Sequence, residues 1–66
     1  MRDLRQELET LVISTNKPLK EKVSQMDLIE LLRNIHPLYS SEYYAYLLLR
    51  AGQIDKDQAK EFIKIP

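Results

Sequence analysis

The sequence predicts an all-α fold, a small bundle of three to four short helices joined by tight turns. Apolar residues recur at intervals of three and four along most of the chain, which is the period of a helix. Side chains that commonly cap helices stand before several of these apolar segments. One glycine and three prolines are too few for the many turns of an all-β protein. The 66 residues are expected to form a single helical domain, residues 1–66.

The first helix is predicted over residues 2–14. Its apolar face combines four residues at helical spacing: Leu4, Leu8, Leu11 and Val12. Arg5 and Glu9 lie four residues apart on the polar side, where a surface ion pair contributes about 0.3 kcal/mol. The helix is expected to end near residues 14–16, because short polar side chains compete there for backbone hydrogen bonds.

The second helix is predicted over residues 25–35, with Ser24 as its N-cap. Asp27 follows this serine at the three-residue spacing of a capping box. A short turn over residues 18–23 is expected to precede the helix, since Pro18 suits the first position of a helical turn. A continuous helix starting at Pro18 is the alternative.

The third helix is the most apolar segment of the chain. Leu38 and Tyr39 are expected to cross from the second helix, after which Ser40 or Ser41 serves as the N-cap. Large apolar residues then cover most of its circumference: Tyr43, Tyr44, Tyr46, Leu47, Leu48 and Leu49. A helix of this kind needs packing partners on more than one side. Gly52 stands where a C-cap requires a positive φ.

Asp55 is predicted to cap the fourth helix, and Gln58 completes a box-like pattern three residues later. Its inward side is expected to consist of three apolar residues: Ala59, Phe62 and Ile63. Its outward side carries three lysines at four-residue intervals, interpreted as a solvated face: Lys56, Lys60 and Lys64.

Charge and composition narrow the function classes. The hydrophobic fraction is 44% and the charged fraction 30%, which is typical of a globular helical chain. The formal net charge is zero, with six basic and six acidic residues in positions 1–33 and four of each after them. Because no basic field exists to attract a phosphate backbone, nucleic-acid binding is disfavoured.

The same composition bears on location. The chain has no cysteine, so disulfides and thiolate metal sites are excluded. Its first residues alternate in charge rather than form the apolar run of a signal peptide. The longest apolar run, residues 43–49, covers about a third of a membrane span. We therefore expect a cytoplasmic protein without a membrane partner and, because the chain begins with Met1, a complete small gene product.

The residues required for catalysis or metal binding are largely missing. A metal site needs several convergent ligands, and the lone His36 is interpreted as a helix-end residue because it precedes Pro37. No serine or threonine has a recognisable general base, and the carboxylates fall at solvent-facing positions. A phosphate-binding loop would need several glycines. We therefore expect no enzymatic activity, no catalytic residue, no cofactor and no metal.

The hairpin around Gly52 superficially resembles a DNA-reading helix-turn-helix. Its recognition helix would be residues 55–64, which hold three acidic residues, three lysines and no arginine. Gln58 is the one residue there of a type that commonly reads base edges. Two helices folded together around a glycine turn is the favoured interpretation, and a DNA-associated regulator is the alternative function.

The tyrosines carry the leading functional hypothesis. Three of them are spaced four and three residues apart, so they share one helical side with an arginine, and we predict this set as the partner-binding surface: Tyr39, Tyr43, Tyr46 and Arg50. Tyrosine suits both a half-buried core edge and an interface, whereas base stacking normally comes with a basic groove. We predict a protein–protein interaction module, a regulator or adaptor that forms a homodimer through the third helix. A structural subunit of a larger assembly is a third interpretation.

Overall fold

The computed structural model describes residues 3–35 and 38–64, without the side chains of residues 38 and 39. Within these residues the chain forms four α-helices and no strand, so the predicted all-α fold is confirmed. The helices are α1 (Leu4–Thr15), α2 (Leu28–Arg33), α3 (Leu38–Arg50) and α4 (Lys56–Ala59). Two 3₁₀ turns, Lys17–Leu19 and Val23–Gln25, connect α1 to α2.

Helix α1 begins two residues later than predicted because Asp3 caps it. The Asp3 carboxylate accepts a hydrogen bond from the backbone N–H of Gln6 at 3.1 Å, which satisfies one of the otherwise unpaired first-turn donors. The predicted ion pair is present, with 3.0 Å between Arg5 Nε and Glu9 Oε2. Leu4, Leu8 and Val12 of the predicted apolar face are buried. The fourth residue of that face, Leu11, is half-buried against the core.

Helix α2 corrects the prediction of a helix over residues 25–35 capped by Ser24. Ser24 lies in the second 3₁₀ turn, and Asp27 is the N-cap, accepting from the Glu30 N–H at 2.8 Å. The backbone at Met26 and Asp27 is extended, which separates the turn from the helix. A continuous helix from Pro18 is excluded for the same reason.

A single guanidinium group anchors the irregular segment between α1 and α2. Arg5 Nη2 donates to the backbone oxygens of Met26 at 2.6 Å and Val23 at 3.0 Å, and lies 3.4 Å from that of Ser24. Val23 is buried beside α1. The 3₁₀ turn persists because a distant side chain satisfies its carbonyl groups, which a local capping rule does not anticipate.

Helix α3 begins at Leu38, so the predicted N-cap at Ser40 or Ser41 and the crossing through residues 38–39 are wrong. Ser41 is 2% exposed, and its hydroxyl donates to the Leu32 carbonyl oxygen at 2.7 Å. A hydroxyl that faces the preceding helix cannot cap its own helix. Ser41 instead joins the beginning of α3 to the end of α2.

The end of α3 follows the prediction. Gly52 has φ +74°, and its N–H donates to the Leu49 oxygen at 3.1 Å. The next N–H, that of Gln53, reaches back to the Leu48 oxygen at 2.9 Å. This pair of bonds is the Schellman motif, which turns the chain sharply after α3 and brings Ile54 into the core.

Helix α4 has the predicted capping box but is shorter than the segment 55–64 considered above. The Asp55 carboxylate accepts from the Gln58 N–H at 2.8 Å, and the Gln58 side chain accepts from the Asp55 N–H at 3.0 Å. The helix ends at Ala59 because turn-type bonds follow, including Phe62 N–H to the Ala59 oxygen at 2.9 Å. Ala59 is fully buried, while Phe62 and Ile63 are half-buried against the core.

The core is formed where α1, α2 and α3 meet. Among the described residues, seven apolar residues are 0% exposed, and the five largest of them are Leu8, Val12, Leu31, Leu32 and Leu48. Ile54 and Ala59 cover this cluster from the C-terminal side. The radius of gyration is 11.3 Å, close to the value of about 11 Å expected for a compact chain of this length.

Candidate interaction surface on α3

Helix α3 has one fully packed face and one exposed face. Ser41, Ala45 and Leu48 are buried against the other helices. Among the described side chains of α3, four exposed residues of mixed chemistry lie on the opposite face: Glu42, Tyr43, Tyr46 and Arg50. Because 3.6 residues make one turn, these four positions lie within about 100° of one another around the helix axis. We call them the α3 outer face.

Two aromatic side chains dominate the α3 outer face. Tyr43 is 51% exposed and Tyr46 is 47% exposed, and they are the exposed large hydrophobic residues of the described part of the chain. The leucines at positions 47 and 49 on the same helix are half-buried and pack against the core. Single exposed apolar residues are common on proteins, whereas neighbouring ones that form a contiguous patch are candidates for a binding surface.

Contacts with neighbouring side chains hold the rings of Tyr43 and Tyr46 in place. The rings of Tyr43 and Tyr44 meet edge to face, with centroids 5.3 Å apart and planes at 80°. Tyr44 itself is half-buried, and its hydroxyl donates to Glu7 Oε1 on α1 at 3.0 Å. Arg50 Nη1 donates to the Tyr46 hydroxyl at 3.0 Å, and Arg50 Cζ lies 5.7 Å from the ring centroid. Rings fixed in this way lose little conformational entropy when they bind.

A shallow groove of about 430 Å³ runs beside the tyrosines. Its wall is formed by α3 and by the segment that follows α4, and we call it the tyrosine groove, lined by Glu42, Tyr43, Tyr46, Ile63 and Lys64. The groove combines two aromatic rings and one aliphatic side chain with a carboxylate and an ammonium group. Apolar contact area with a charged rim is the usual anatomy of a protein interface.

The structure brings together three of the four predicted site residues. Tyr43, Tyr46 and Arg50 lie on the α3 outer face, and the backbone of Tyr39 belongs to the first turn of the same helix. The side chain of Tyr39 lies outside the described residues. Tyr44 contacts the ring of Tyr43 but is not part of the α3 outer face, because it is half-buried and its hydroxyl bonds to Glu7 on α1.

Sequence reasoning missed three residues of the tyrosine groove. Glu42 precedes Tyr46 by four residues, and this spacing on one helix could have identified it. Ile63 packs against the core and Lys64 is exposed, as predicted, and both side chains also line the groove. They belong to another element, so no local pattern relates them to the tyrosines.

A bidentate ion pair fixes the segment that carries Ile63. Arg33 Nη2 donates to Glu61 Oε1 at 2.7 Å, and Arg33 Nε donates to Glu61 Oε2 at 2.5 Å. These hydrogen bonds, reinforced by the opposite charges, hold the pKa of the Glu61 carboxyl below its ordinary value and raise the pKa of Arg33. The pair therefore links the end of α2 to the residues after α4.

The proposed DNA-reading segment is not one helix. Of residues 55–64, only Lys56–Ala59 are helical, which is about one turn. Lys60 Nζ lies 3.6 Å from Asp57 Oδ1, so an acidic neighbour offsets one of the three lysines. A helix of this length presents fewer side chains to a major groove than a recognition helix does.

Residues 3–35 and 38–64 contain neither a metal-ligating cluster nor a membrane-spanning helix. No group of three or more potential metal-ligating side chains converges in this part of the chain, and His36 lies outside it. None of its helices combines the length and apolar character needed to cross a membrane. No protein-family model matches the chain, and neither do the curated proteins or the solved structures compared with it.

Proposed function

We propose that this chain is a non-enzymatic protein–protein interaction module, a small regulator or adaptor that presents the α3 outer face to a protein partner. The observation that carries the proposal is the exposure of Tyr43 and Tyr46 at 51% and 47%, beside a groove. The aliphatic side chains of the same helix pack inside the molecule. The two tyrosine rings are therefore exposed to solvent, although the leucines of the same helix pack against the core.

The chemistry of this face favours a protein as the partner. Tyrosine and arginine are enriched among the residues that dominate binding energy at protein interfaces. Tyr46 and Arg50 already contact each other, so they would bind as one unit. Tyr43 is supported by the ring of Tyr44, which the core holds in place. A cytoplasmic location agrees with the cysteine-free composition.

The alternative, a DNA-associated regulator, has less support. Its reading segment is helical for only four residues, and the net charge of the chain is zero. A gel shift at low salt with the intact chain distinguishes the two functions. A salt-dependent shift that survives replacement of both tyrosines would favour DNA binding, because phosphate contacts do not need those rings.

The direct experiment is affinity capture with the tagged chain from cells of the native host. The Tyr43→Ala/Tyr46→Ala double variant is expected to lose a partner that the wild-type chain retains, with binding weakened by at least about tenfold. The matched control is Lys20→Ala/Glu21→Ala, which changes two exposed residues outside the groove.

Far-UV circular dichroism and thermal melting decide what a loss of capture means. Both double variants should keep the helical signal of the wild type, because all four side chains are exposed. Capture by the tyrosine variant at wild-type strength would refute the proposal. A simultaneous loss of helix and capture would show that the rings belong to the core, which also contradicts it.

A further inference from the structure

Three exposed residues of α3 form a row in which a central tyrosine is flanked, at equal distances, by one negatively and one positively charged residue. Glu42, Tyr46 and Arg50 follow one another at intervals of four, and all three are exposed. The two charged positions lie about 12 Å apart along the helix axis, with the tyrosine midway between them. A row with an acid at one end and a base at the other is complementary to a reversed copy of itself.

Both ends of this row are available to a partner. Among the described residues, no ion pair or side-chain hydrogen bond involves the carboxylate of Glu42. Arg50 uses Nη1 for the Tyr46 hydroxyl, and a guanidinium has five N–H donors in total. The remaining donors can bind a carboxylate while the arginine stays on the tyrosine.

We propose that the partner of the α3 outer face is a second copy of this chain, bound as a two-fold symmetric dimer in which the two α3 rows run antiparallel. This inference rests on the proposed function and specifies its partner. With the two-fold axis near Tyr46, Glu42 of each copy lies opposite Arg50 of the other. A symmetric interface repeats every contact, so one self-complementary row supplies two ion pairs and a pair of tyrosines at the centre.

The geometry of helix packing is compatible with this arrangement. Residues four apart form the ridge that most often packs between the ridges of a neighbouring helix, at a crossing angle of about 50°. An interface of standard size buries about 800 Å² on each partner, which is about one-sixth of the 4846 Å² surface of this chain. A single row is smaller than that, so the dimer should depend on concentration.

A simpler explanation of the same charges must be separated from this one. Arg50 lies in the last turn of α3, where a positive charge favours the helix dipole, whereas Glu42 follows the first turn, which contains no acidic residue. Exchanging the two charges removes the dipole benefit but keeps the row self-complementary. The exchange therefore distinguishes a dimer contact from a purely intramolecular role.

The experiment measures self-association of four chains by sedimentation equilibrium, from about 5 µM to about 1 mM. They are the wild type, Glu42→Arg, Arg50→Glu and the double variant Glu42→Arg/Arg50→Glu. Each single variant places like charges opposite each other, so its dimer dissociation constant should rise at least about tenfold. The double variant should return to within a few-fold of the wild type. An equimolar mixture of the two single variants should form a heterodimer.

Every outcome bears on the inference. A wild-type chain that stays monomeric up to about 1 mM overturns it. So does a dimer that responds equally little to all three variants, or a double variant weaker than both single variants. If the chain is monomeric but captures another protein through Tyr43 and Tyr46, the proposed function stands and only the self-pairing is lost. If the Tyr43→Ala/Tyr46→Ala variant keeps both dimer and capture, the proposed function fails as well.

Discussion

Replacing Gly52 by alanine should lower the free energy of unfolding by about 1 kcal/mol, for a purely conformational reason. A Cβ atom built at this position meets nothing within 4 Å, so no steric clash contributes. The cost comes from the φ of +74°, since the left-handed region costs other L-residues about 1–2 kcal/mol. Alanine also restricts the unfolded chain, which offsets this cost by about 0.4–1 kcal/mol.

Thermal unfolding followed by circular dichroism measures this effect. An unfolding entropy of about 2.1 cal/mol/K per residue gives about 0.14 kcal/mol/K for a chain of this length. A loss of about 1 kcal/mol therefore corresponds to a fall in Tm of about 7 °C. Asparagine enters the left-handed region more easily, so Gly52→Asn should lose clearly less. Gln53→Ala, at an exposed neighbouring position, should change Tm little.

Two results would refute this reasoning. One is a Gly52→Ala variant that melts together with the wild type, since the positive φ would then carry no cost. The other is a Gly52→Asn variant that loses as much as the alanine variant, because the loss would then come from the added side chain rather than from the backbone. The space around Gly52 argues against the second result.

The other predictions concern three polar links. Arg5→Met should lower stability by about 1–2 kcal/mol in urea unfolding, because the charge-assisted bonds to the carbonyl oxygens of Val23 and Met26 are lost. Glu9→Gln removes only the surface ion pair and should cost under about 0.5 kcal/mol. Equal losses for the two variants would contradict the assigned role of the arginine. Ser41→Ala should cost about 1 kcal/mol in the same assay, and a neutral result would show that its hydroxyl bond to α2 contributes nothing. Glu61 has a lowered pKa in the folded chain, so its bond to Arg33 stabilises above the ordinary carboxyl pKa and is lost as pH falls through the lower, folded value. The urea midpoint of the wild type should therefore approach that of Glu61→Gln on acidification, and a gap that stays constant down to acid pH would exclude this linkage.

Much of the fold followed from signals that lie within four residues of each other. Asp55 with Gln58 and the isolated Gly52 were identified correctly, because a cap and a left-handed glycine depend on local backbone geometry. The same signal was available at two sites where it was overlooked, Asp3 before Gln6 and Asp27 before Glu30. Aspartate at the N-cap begins α1, α2 and α4 alike.

The errors lie where contacts between distant residues decide the structure. Ser24 has a capping-type spacing, but the guanidinium of Arg5 holds its segment as a 3₁₀ turn. Ser41 resembles a cap, but its hydroxyl bonds to Leu32 from inside the helix. A pattern of neighbouring residues cannot predict either contact, because Arg5 and Ser41 bind carbonyl oxygens on other segments of the chain. Arg5 and Met26, for example, are about twenty residues apart.

The residues of the candidate surface also fall into two groups, those that helical spacing could predict and those that it could not. Tyr43, Tyr46 and Arg50 could be grouped from helical spacing alone, and their exposure was the open question. Ile63 and Lys64 could not be grouped with them. Their position depends on the sharp turn at Gly52 and on the shortness of α4, which together return the chain to the side of α3.

The dependence of residues 17–26 on one arginine has a consequence for how the molecule fluctuates. Val23 is the one residue of the two 3₁₀ turns that is buried, while Leu19 and Met26 are half-buried against the core, so this segment buries less apolar surface than α1 or α3 does. Segments of that kind open at a lower free energy than the global unfolding transition. In native-state hydrogen exchange, the amides of this segment should therefore exchange as a separate early unit, ahead of those in α1 and α3. The tyrosines would keep their support throughout such an opening, because Tyr44 is bound to α1 and not to the segment that moves.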